Sequence, residues 1–308
     1  MSAASPLVVG VTGASGLVGR ALVAELGAAG HRVVRFVRGP ARAGTDEISW
    51  AGGRLDAAAL DALDAIVHLA GENVGGGRWT PARKKLILDS RVEGTGLFAR
   101  AMARQAPGRR LIVASAVGYY GDASDRVVTE QAPAGDGFLA EVCTAWEAAA
   151  GPAAEAGHRV TFARLGVVLS PEGGALAKMV TPFRFGLGGP LGDGRQYLSW
   201  IHLNDTVRAL RFLVEHGEAG PYNVTAPEPV RQAEFARALG AALHRPAVLP
   251  APRFALEALL GEMAREMLLA GARVLPARLL DAGFRFSWPT LSAALRDCLG
   301  RPGAGEAA

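Results

Sequence analysis

The amino-acid sequence predicts an α/β fold in which a doubly wound parallel sheet carries helices on both faces and a smaller, mostly helical C-terminal lobe follows. In residues 1–170, short apolar segments alternate with helical segments at the spacing of parallel strand–helix–strand units. After residue 170 a stretch rich in glycine and proline interrupts this alternation, and mostly helical sequence completes the chain. These two observations separate a core from an appended lobe.

The predicted strands of the core are short apolar runs bounded by turn residues. They are residues 7–12, 31–38, 63–71, 109–118 and 158–170. The first strand is followed by a helix that stops at Gly30, and helices over 80–105 and 138–156 connect later strands. Thr80 followed by Pro81 is typical of a helix start, with threonine as the N-cap and proline in the first turn.

The second half of the chain has a different organisation. Residues 171–199 are predicted to form a long irregular excursion, a length of loop that usually belongs to a binding site or a lid. Residues 200–216 and 220–226 return to strand and helix, and we expect them to rejoin the core. Residues 227–300 should form the smaller lobe that holds substrate, and 301–308 should be a loose tail.

Composition excludes several classes of protein. Half of the 308 residues are hydrophobic and 20% are charged, so we expect a substantial core and no long disorder. The net charge of +4 comes from arginines spread along the chain, and the densest basic run, 78–85, has no interleaved aromatic residue beyond Trp79. Nucleic-acid binding is therefore not expected.

The same reasoning applies to membranes, secretion and metals. No apolar run reaches the roughly 20 residues that a membrane span needs, and no secretory signal is visible at the start of the chain. Cys143 and Cys298 match neither a metal nor a disulfide spacing. The expectation is a cytoplasmic protein with free thiols and no metal site.

The turn after the first strand carries glycines in a dinucleotide-binding pattern. The segment VTGASGLVG, residues 11–19, places Gly13, Gly16 and Gly19 in the spacing G-x-x-G-x-x-G between a strand and a helix. Glycines allow the tight turn and the close approach of the backbone. The helix N-terminus then offers free N–H groups and a positive dipole end to a pyrophosphate. The sequence therefore predicts a Rossmann core that binds a nicotinamide dinucleotide.

The end of the second strand indicates which dinucleotide is bound. NAD sites usually carry an acid there for the ribose 2′-hydroxyl, whereas NADP sites use an arginine for the 2′-phosphate. From His31 to Thr45 there is no Asp or Glu, and the strand ends at Arg38, with Arg35 and Arg42 nearby. We therefore predict NADP(H), with Arg38 as the phosphate partner. An arginine that simply faces solvent is the alternative.

Several segments resemble the extended short-chain dehydrogenase/reductase superfamily. Beside the glycine turn they are HLAG (68–71), SAVGYYGD (115–122), WIHLND (200–205) and YNVTAPEP (222–229). Others, including RWTPARKKLILDSR (78–91) and LGGPLGDGRQYLSWIHLND (188–205), are similar to the atypical branch labelled the epimerase family. Members of that branch end in a small lobe, which residues 250–298 resemble. The resemblance covers nearly the whole chain.

The resemblance implies an NADP-binding protein and places further residues against the cofactor. They are Ser15, Leu17 and Val18 beside the pyrophosphate, Leu69, Ala70 and Gly71 along the adenosine side, Arg91 from the helix after the third major strand, and the backbone of Val168 at the nicotinamide end. From the residues alone, Arg91 could equally be a surface arginine.

Typical members of the superfamily exchange a proton through a serine and a Tyr-x-x-x-Lys pair, in which the lysine lowers the pKa of the tyrosine. No Tyr-x-x-x-Lys occurs anywhere in this chain. Alignment on the motif around Tyr120 puts the expected tyrosine near Glu141, the lysine near Ala145 and the serine at Ala116. The usual proton relay is therefore absent.

Three residues are candidates to replace this relay. They are Ser115 as a hydrogen-bond donor, Tyr119 as an acid after a strand end that should face the nicotinamide, and Glu141 as a base whose carboxyl group burial could tune. Packing or solvation is the alternative for each of them. Cys143, further round the same helix, is expected to face away or to pack.

The motif WIHLND contains two more residues that are typical of catalytic sites, His202 and Asp205. The resemblance makes this segment a strand-to-helix junction that positions the lobe. We expect Asp205 to cap a helix that begins at Thr206.

Two functions of different class follow from these patterns. One is an NADP(H)-dependent oxidoreductase or epimerase that acts on a small polar substrate between core and lobe, under a lid formed by 171–199. The other is a non-catalytic NADP(H)-binding sensor or scaffold. The missing Tyr-x-x-x-Lys favours this second function or an unusual chemistry. Fold alone does not choose between them. Members of the superfamily commonly form dimers through paired helices, so a homodimer is one expectation. The helical segment 80–105, however, has no decisive apolar outer face that would form such an interface.

Overall fold

The computed structural model describes residues 5–50 and 53–300, so the predicted tail 301–308 lies outside the described residues. The strands are β1 (Val8–Thr12), β2 (Arg32–Val37), β3 (Glu47–Ser49), β4 (Ala65–His68), β5 (Arg110–Ala116), β6 (Val127–Val128), β7 (Arg159–Leu165), β8 (Val167–Leu169), β9 (Tyr197–Leu198), β10 (Trp200–His202), β11 (Gly220–Val224), β12 (Val230–Arg231) and β13 (Arg273–Val274). The helices are α1 (Leu17–Ala28), α2 (Pro81–Met102), α3 (Phe138–Ala148), α4 (Gly151–Glu155), α5 (Gly174–Arg184), α6 (Leu203–His216), α7 (Gln232–Ala242), α8 (Arg253–Leu260), α9 (Glu262–Met267), α10 (Ala277–Asp281) and α11 (Leu291–Gly300). Short 3-10 turns occupy Ala57–Leu60 and Val117–Tyr120.

Seven of the described strands form one parallel sheet in the order β11-β7-β5-β4-β1-β2-β3. The order steps outward from β1 in both directions, so right-handed connections place helices on both faces. In the register, Val9 lies opposite Val33 of β2 on one side and opposite Ala65 of β4 on the other. The predicted fold class, a doubly wound Rossmann sheet, is confirmed.

The helices bury both faces of this sheet. On one face α1 and α6 pack against the strands, and Val9, Leu22 and Leu210 belong to one apolar cluster. On the other face lie α2, α3 and α4, and Ile66 and Phe98 belong to a second cluster. Strands buried on both faces need apolar residues at successive positions rather than at alternate ones. This is why the strands of the core are continuous apolar runs.

Residues after 170 contribute to three further apolar clusters, two of which support the site. One joins α5, α7 and α11 around Trp200 and Phe235. The other joins Met263 of α9 to Trp79 and Phe138, which stand at the starts of α2 and α3. The second cluster holds α9 close to the carboxyl edge of the sheet, which is where doubly wound folds bind their ligands.

Segment 171–199 differs from the predicted irregular excursion, because Gly174–Arg184 forms the helix α5. Three apolar side chains at helical spacing, Leu176, Val180 and Phe183, are buried in the cluster around Trp200. Tertiary packing of one apolar face therefore overrides the high glycine and proline content of the segment.

The predicted strand 158–170 is two strands in different sheets. β7 belongs to the main sheet, whereas β8 pairs with β10. Gly166 stands between them, and a Cβ at this position would lie 2.7 Å from the backbone oxygen of Ser199. Glycine therefore permits the close approach of the two chain segments where the strand changes partner. None of the helices in the described part of the chain combines the length and apolarity that crossing a membrane requires.

Candidate functional site

The glycine turn joins β1 to α1 at the carboxyl edge of the sheet. Gly13 has a φ of +65°, in the left-handed region that glycine tolerates, and its carbonyl accepts the N–H of Gly16 at 2.9 Å. A Cβ on Gly13 would lie 3.0 Å from the backbone nitrogen of Ala70, and a Cβ on Gly19 would overlap the carbonyl of Gly13. These two glycines let β1, α1 and the chain after β4 close up against one another.

The first turn of α1 is left open for an anion. Gly16 is the N-cap, no side chain caps the helix, and no acid lies in its first turn. Ser15 and Gly16 are exposed, whereas Leu17 and Val18 are half-buried. The N–H groups of a first helical turn have no partner within the helix, and the dipole is positive there. This arrangement suits a pyrophosphate.

Thr12 and His68 position the neighbouring turn, and neither was among the predicted site residues. Oγ1 of Thr12 accepts the backbone N–H groups of Leu69 at 3.0 Å and Ala70 at 3.1 Å. With both lone pairs used, the hydroxyl donates its proton to Nδ1 of His68, 3.0 Å away. Burial lowers the pKa of His68 to about 4, so the ring is neutral at pH 7. The sequence signal that could have identified them is that each is a polar residue at the end of an apolar strand, Thr12 in β1 and His68 in β4.

Arg38 lies just beyond β2 and is exposed. The two neighbouring arginines are both engaged by one acid, since Arg35 pairs with Glu47 at 3.1 Å and Arg42 pairs with Glu47 at 3.8 Å. Among the described residues, Arg38 has no hydrogen-bond or ion-pair partner. The second strand therefore ends in one uncompensated guanidinium group, which is the group that binds phosphate with two parallel hydrogen bonds.

A cleft of about 490 Å³ opens at the carboxyl edge of the sheet, between the core and the segment 253–272. Its size is in the range of small-molecule sites. The core lines it with α3, the chain after β5 and the β7–β8 junction. The lining residues from the core include Arg91, Ala116, Val117, Leu139, Val142, Cys143, Trp146, Gly166, Val167 and Tyr197.

Arg91 reaches this cleft from α2. Its Nη1 donates to the backbone oxygen of Ile87 at 3.0 Å, and its guanidinium carbon lies 4.9 Å from the ring centroid of Trp146. A Cβ on Gly71 would lie 3.3 Å from this guanidinium carbon, so the glycine leaves room for the arginine. Burial lowers the pKa of Arg91. Val168 does not line the cleft, although Val167 beside it does.

The three candidates for a substitute relay lie outside the cleft. Ser115 is buried and donates to Oε1 of Glu147 at 2.7 Å. The ring centroid of Tyr119 lies 3.4 Å from the guanidinium carbon of Arg164. Glu141 is exposed on the outer side of α3. The structure does not bring the three residues together. Their roles in proton transfer stay predictions, and their positions outside the cleft do not favour them.

The side of α3 that faces the cleft carries different residues from those expected. They are Leu139, Val142, Cys143 and Trp146. Leu139 and Cys143 are four residues apart, the spacing of the Tyr-x-x-x-Lys pair, and they share the cleft with Ala116. Two residues along a helix turn the side chain by about 200°, so Glu141 and Ala145 do not point the same way as Leu139 and Cys143.

Cys143 is buried, in keeping with the packing that we expected, but it also lines the cleft. The residue is 3% exposed, and its thiol donates to the backbone oxygen of Ala116 at 3.7 Å. Burial raises the pKa of the Cys143 thiol to about 11, so it is protonated at neutral pH. Ala116, Leu139 and the protonated Cys143 therefore lie together in the cleft lining.

The junction around His202 is built differently from the predicted cap. His202 itself is the N-cap of α6, because its Nδ1 accepts the N–H of Asn204 at 3.2 Å, and the helix begins three residues earlier than expected. Asp205 is not the cap. Its buried carboxylate accepts the backbone N–H groups of Ser287 at 3.0 Å and Trp288 at 2.8 Å. Asp205 therefore ties the C-terminal lobe to α6.

The glycine turn, the open helix N-terminus and the cleft beyond the sheet define a dinucleotide-binding fold of the extended short-chain dehydrogenase/reductase class. A family model described as "NAD dependent epimerase/dehydratase family" matches residues 9–225, and one described as "Domain of unknown function (DUF1731)" matches residues 251–298. The chain belongs to the NAD-dependent epimerase/dehydratase family. The family resemblance noted in the sequence is confirmed.

Relatives of this chain match it over nearly its full length. Epimerase family protein MT2273 of Mycobacterium tuberculosis is 48% identical over 299 residues, which are 96% of this chain and 99% of the relative. Human epimerase family protein SDR39U1 is 39% identical over 292 residues, which are 93% of this chain and 98% of the relative.

Two solved structures share the fold at comparable identity. The crystal structure of human SDR39U1 isoform 2 with NADPH has a TM-score of 0.87 and 37% identity, and the match covers 96% of this chain and 100% of that chain. A nucleoside-diphosphate sugar epimerase from Corynebacterium glutamicum has a TM-score of 0.80 and 38% identity, and the match covers 96% of this chain and 59% of that chain.

Proposed function

We propose that this chain binds NADP(H) across its glycine turn and encloses a small molecule in the cleft, as an oxidoreductase or epimerase-like protein without the usual proton relay. The observation that carries the proposal is the open first turn of α1, held against β1 by Gly13 and Gly19. The human relative of known structure was crystallised with NADPH, which supports the same ligand here.

The residues present fit a dinucleotide with an additional phosphate. The backbone N–H groups at the start of α1 would bind the pyrophosphate. Arg38 would bind the 2′-phosphate, since Arg35 and Arg42 are already paired with Glu47. Arg91 would bind from the cleft side. When bound, the nicotinamide supplies or accepts a hydride.

Proton transfer would need a group other than those of the usual relay. Ala116 and Leu139 carry no ionisable proton, and the pKa of about 11 keeps Cys143 protonated. Tyr197 lines the cleft, whereas the other described tyrosines do not. A tyrosine hydroxyl within reach of a substrate oxygen can donate or accept a proton. We propose Tyr197 as the proton-transfer group because, of the described tyrosines, it is the one that lines the cleft. Its only sequence signal was its place in the glycine-rich excursion.

A non-catalytic NADP(H) sensor or scaffold is the second candidate. It is supported by the cleft lining from α3 and the chain after β5, where Ala116, Leu139 and a protonated Cys143 supply no proton-transfer group. Under this alternative the cofactor would bind through the same turn, and the cleft would hold a regulatory molecule rather than a substrate.

Calorimetric titration of the full chain with NADPH and NADH tests the shared part of the proposal. We expect saturable heat with NADPH and weaker binding of NADH. Absence of heat with either coenzyme, in protein shown to be folded, contradicts the proposal.

Loss of absorbance of the reduced nicotinamide then separates the two candidates. The test uses a panel of ketones, aldehydes, quinones and nucleotide sugars. Turnover that Tyr197→Phe removes without changing NADPH affinity supports the oxidoreductase. Binding of NADPH without turnover across the panel supports the sensor.

A further inference from the structure

The part of the cleft between α3 and the C-terminal lobe has an apolar floor. The residues that form it are Ala116, Leu139, Val142, Cys143, Trp146 and Met267. These side chains offer van der Waals contact and, apart from a neutral thiol and an indole whose N–H is already bonded to Thr95 at 2.9 Å, no hydrogen-bonding groups. A ligand that reaches this floor gains by burying apolar surface.

Two polar side chains beside the floor, Ser199 and Glu266, are already used by the protein. The hydroxyl of Ser199 donates to the backbone oxygen of Ala272 at 2.7 Å and accepts the N–H of Val274 at 3.0 Å. The carboxylate of Glu266 accepts the first two N–H groups of α3, at 2.9 and 2.8 Å. A polyhydroxylated ligand beside the floor would therefore lose water at its hydroxyl groups while Ser199 and Glu266 offer it no free partner, and this desolvation is costly.

The charges around the cleft do not select an anion. The cleft lining contains three carboxylates, those of Asp122, Asp136 and Glu266, and three guanidinium groups, those of Arg91, Arg253 and Arg265. Arg91 lies on the side assigned to the cofactor, and Arg253 pairs with Glu257 at 2.8 Å. The space left for a second molecule therefore has no surplus of positive charge, whereas a nucleoside diphosphate brings two negative charges that need one.

We propose that the second molecule held in the cleft is an uncharged, mainly apolar carbonyl compound and not a nucleotide sugar. This inference rests on the proposed function to the extent that NADP(H) occupies the glycine-turn side of the site. An apolar substrate replaces the small polar substrate expected from the sequence. The sequence could not show the apolar floor, because Leu139 and Val142 of α3 meet Met267 of α9 only in the folded protein.

Calorimetry on the full chain saturated with NADPH tests the inference with three probes. 2-Octanone is the uncharged apolar ketone, octanoate is its anionic counterpart of similar length, and UDP-glucose is the nucleotide sugar. We expect 2-octanone to bind at least about tenfold more tightly than octanoate, and UDP-glucose to give no saturable heat.

Two variants show whether the ketone sits on the apolar floor. Leu139→Asn, from the α3 side, and Met267→Gln, from the lobe side, should each weaken 2-octanone binding about tenfold and leave NADPH affinity unchanged. Leu280→Asn is the matched control, since Leu280 is an exposed leucine that does not line the cleft. Equal 2-octanone affinity in all three variants contradicts the assigned location.

The outcomes separate this inference from the proposed function. NADPH heat without 2-octanone binding, or with tighter binding of UDP-glucose, overturns the inference and leaves the proposed function standing. Saturable 2-octanone binding to folded protein that gives no NADPH heat supports the apolar cleft and overturns the assignment of the cofactor.

Discussion

Glu147 and Arg164 form a buried two-point ion pair next to the residues that line the cleft. Nη2 of Arg164 lies 2.8 Å from Oε2 of Glu147, Nε lies 2.9 Å from Oε1, and the two side chains are 4% and 11% exposed. Burial disfavours the charged guanidinium, but the hydrogen bonds and charge of Glu147 outweigh it and raise the pKa of Arg164. Ser115 and Tyr120 complete the network through their hydroxyl groups. This network gives Ser115 a structural role.

Removing the acid from this pair should be strongly destabilising. Glu147→Ala leaves Arg164 charged, buried and unpaired, and should lower the free energy of unfolding by about 3–5 kcal/mol. The exposed pair between Glu218 and Arg159, with Glu218 70% exposed, provides the control, and Glu218→Ala should cost less than about 1 kcal/mol. Urea denaturation of both variants measures the difference. Similar losses of stability would show that the buried pair has no special role.

The glycine turn should tolerate no side chain at Gly19. In Gly19→Ala the new Cβ would overlap the carbonyl of Gly13, so the turn must open and NADPH affinity should fall at least about tenfold. Gly27→Ala in the same helix is the matched control, because a Cβ there has no atom within 4 Å. It should keep NADPH affinity and raise the free energy of unfolding by about 0.5–1 kcal/mol. Calorimetry that finds equal NADPH affinity in the two variants would contradict the role of Gly19.

The sheet and the glycine turn could be predicted because their signals are local. The apolar run 7–12 contains β1, and the glycines that follow it are forced by contacts within the turn itself. β3 escaped prediction because Glu47–Ser49 is three residues long, without an apolar run, and forms only by pairing with β2. The helix α5 escaped because its glycine and proline content hides an apolar face that only packing reveals.

The cleft could be predicted only in part. Arg91 and the region of Ala116 could be assigned by resemblance, but Tyr197 and Met267 meet them through tertiary packing that no local pattern encodes. The length of the loop before α3 decides which helix positions face the cleft. An alignment that is wrong by two residues therefore selects the exposed Glu141 instead of Leu139, which faces the cleft. This is a rotation that sequence spacing alone cannot determine.

Arg38 should set the preference for NADPH over NADH. Arg38→Gln removes a charged hydrogen-bonding group and should lower NADPH affinity about 10- to 100-fold while NADH affinity stays the same. Arg42→Gln is the control, because Arg42 is 78% exposed and pairs with Glu47, and it should change NADPH affinity less than about threefold. Parallel titrations with the two coenzymes measure the ratio. An unchanged ratio in Arg38→Gln would mean that another group binds the additional phosphate.

His68 should make the fold sensitive to acid. Its ring is fully buried, and burial lowers its pKa from 6.5 to about 4, so between these values the unfolded chain binds a proton that the folded protein does not. The free energy of unfolding should therefore fall as the pH falls from 6.5 to 4, by about 3 kcal/mol from this group, and this contribution should be constant above pH 6.5. His68→Gln should remove that part of the pH dependence. His216→Gln should retain it, because the side chain of His216 is 41% exposed. Urea denaturation at intervals between pH 4 and 7 measures the slopes, and equal slopes in the wild type and His68→Gln would mean that other groups cause the acid sensitivity.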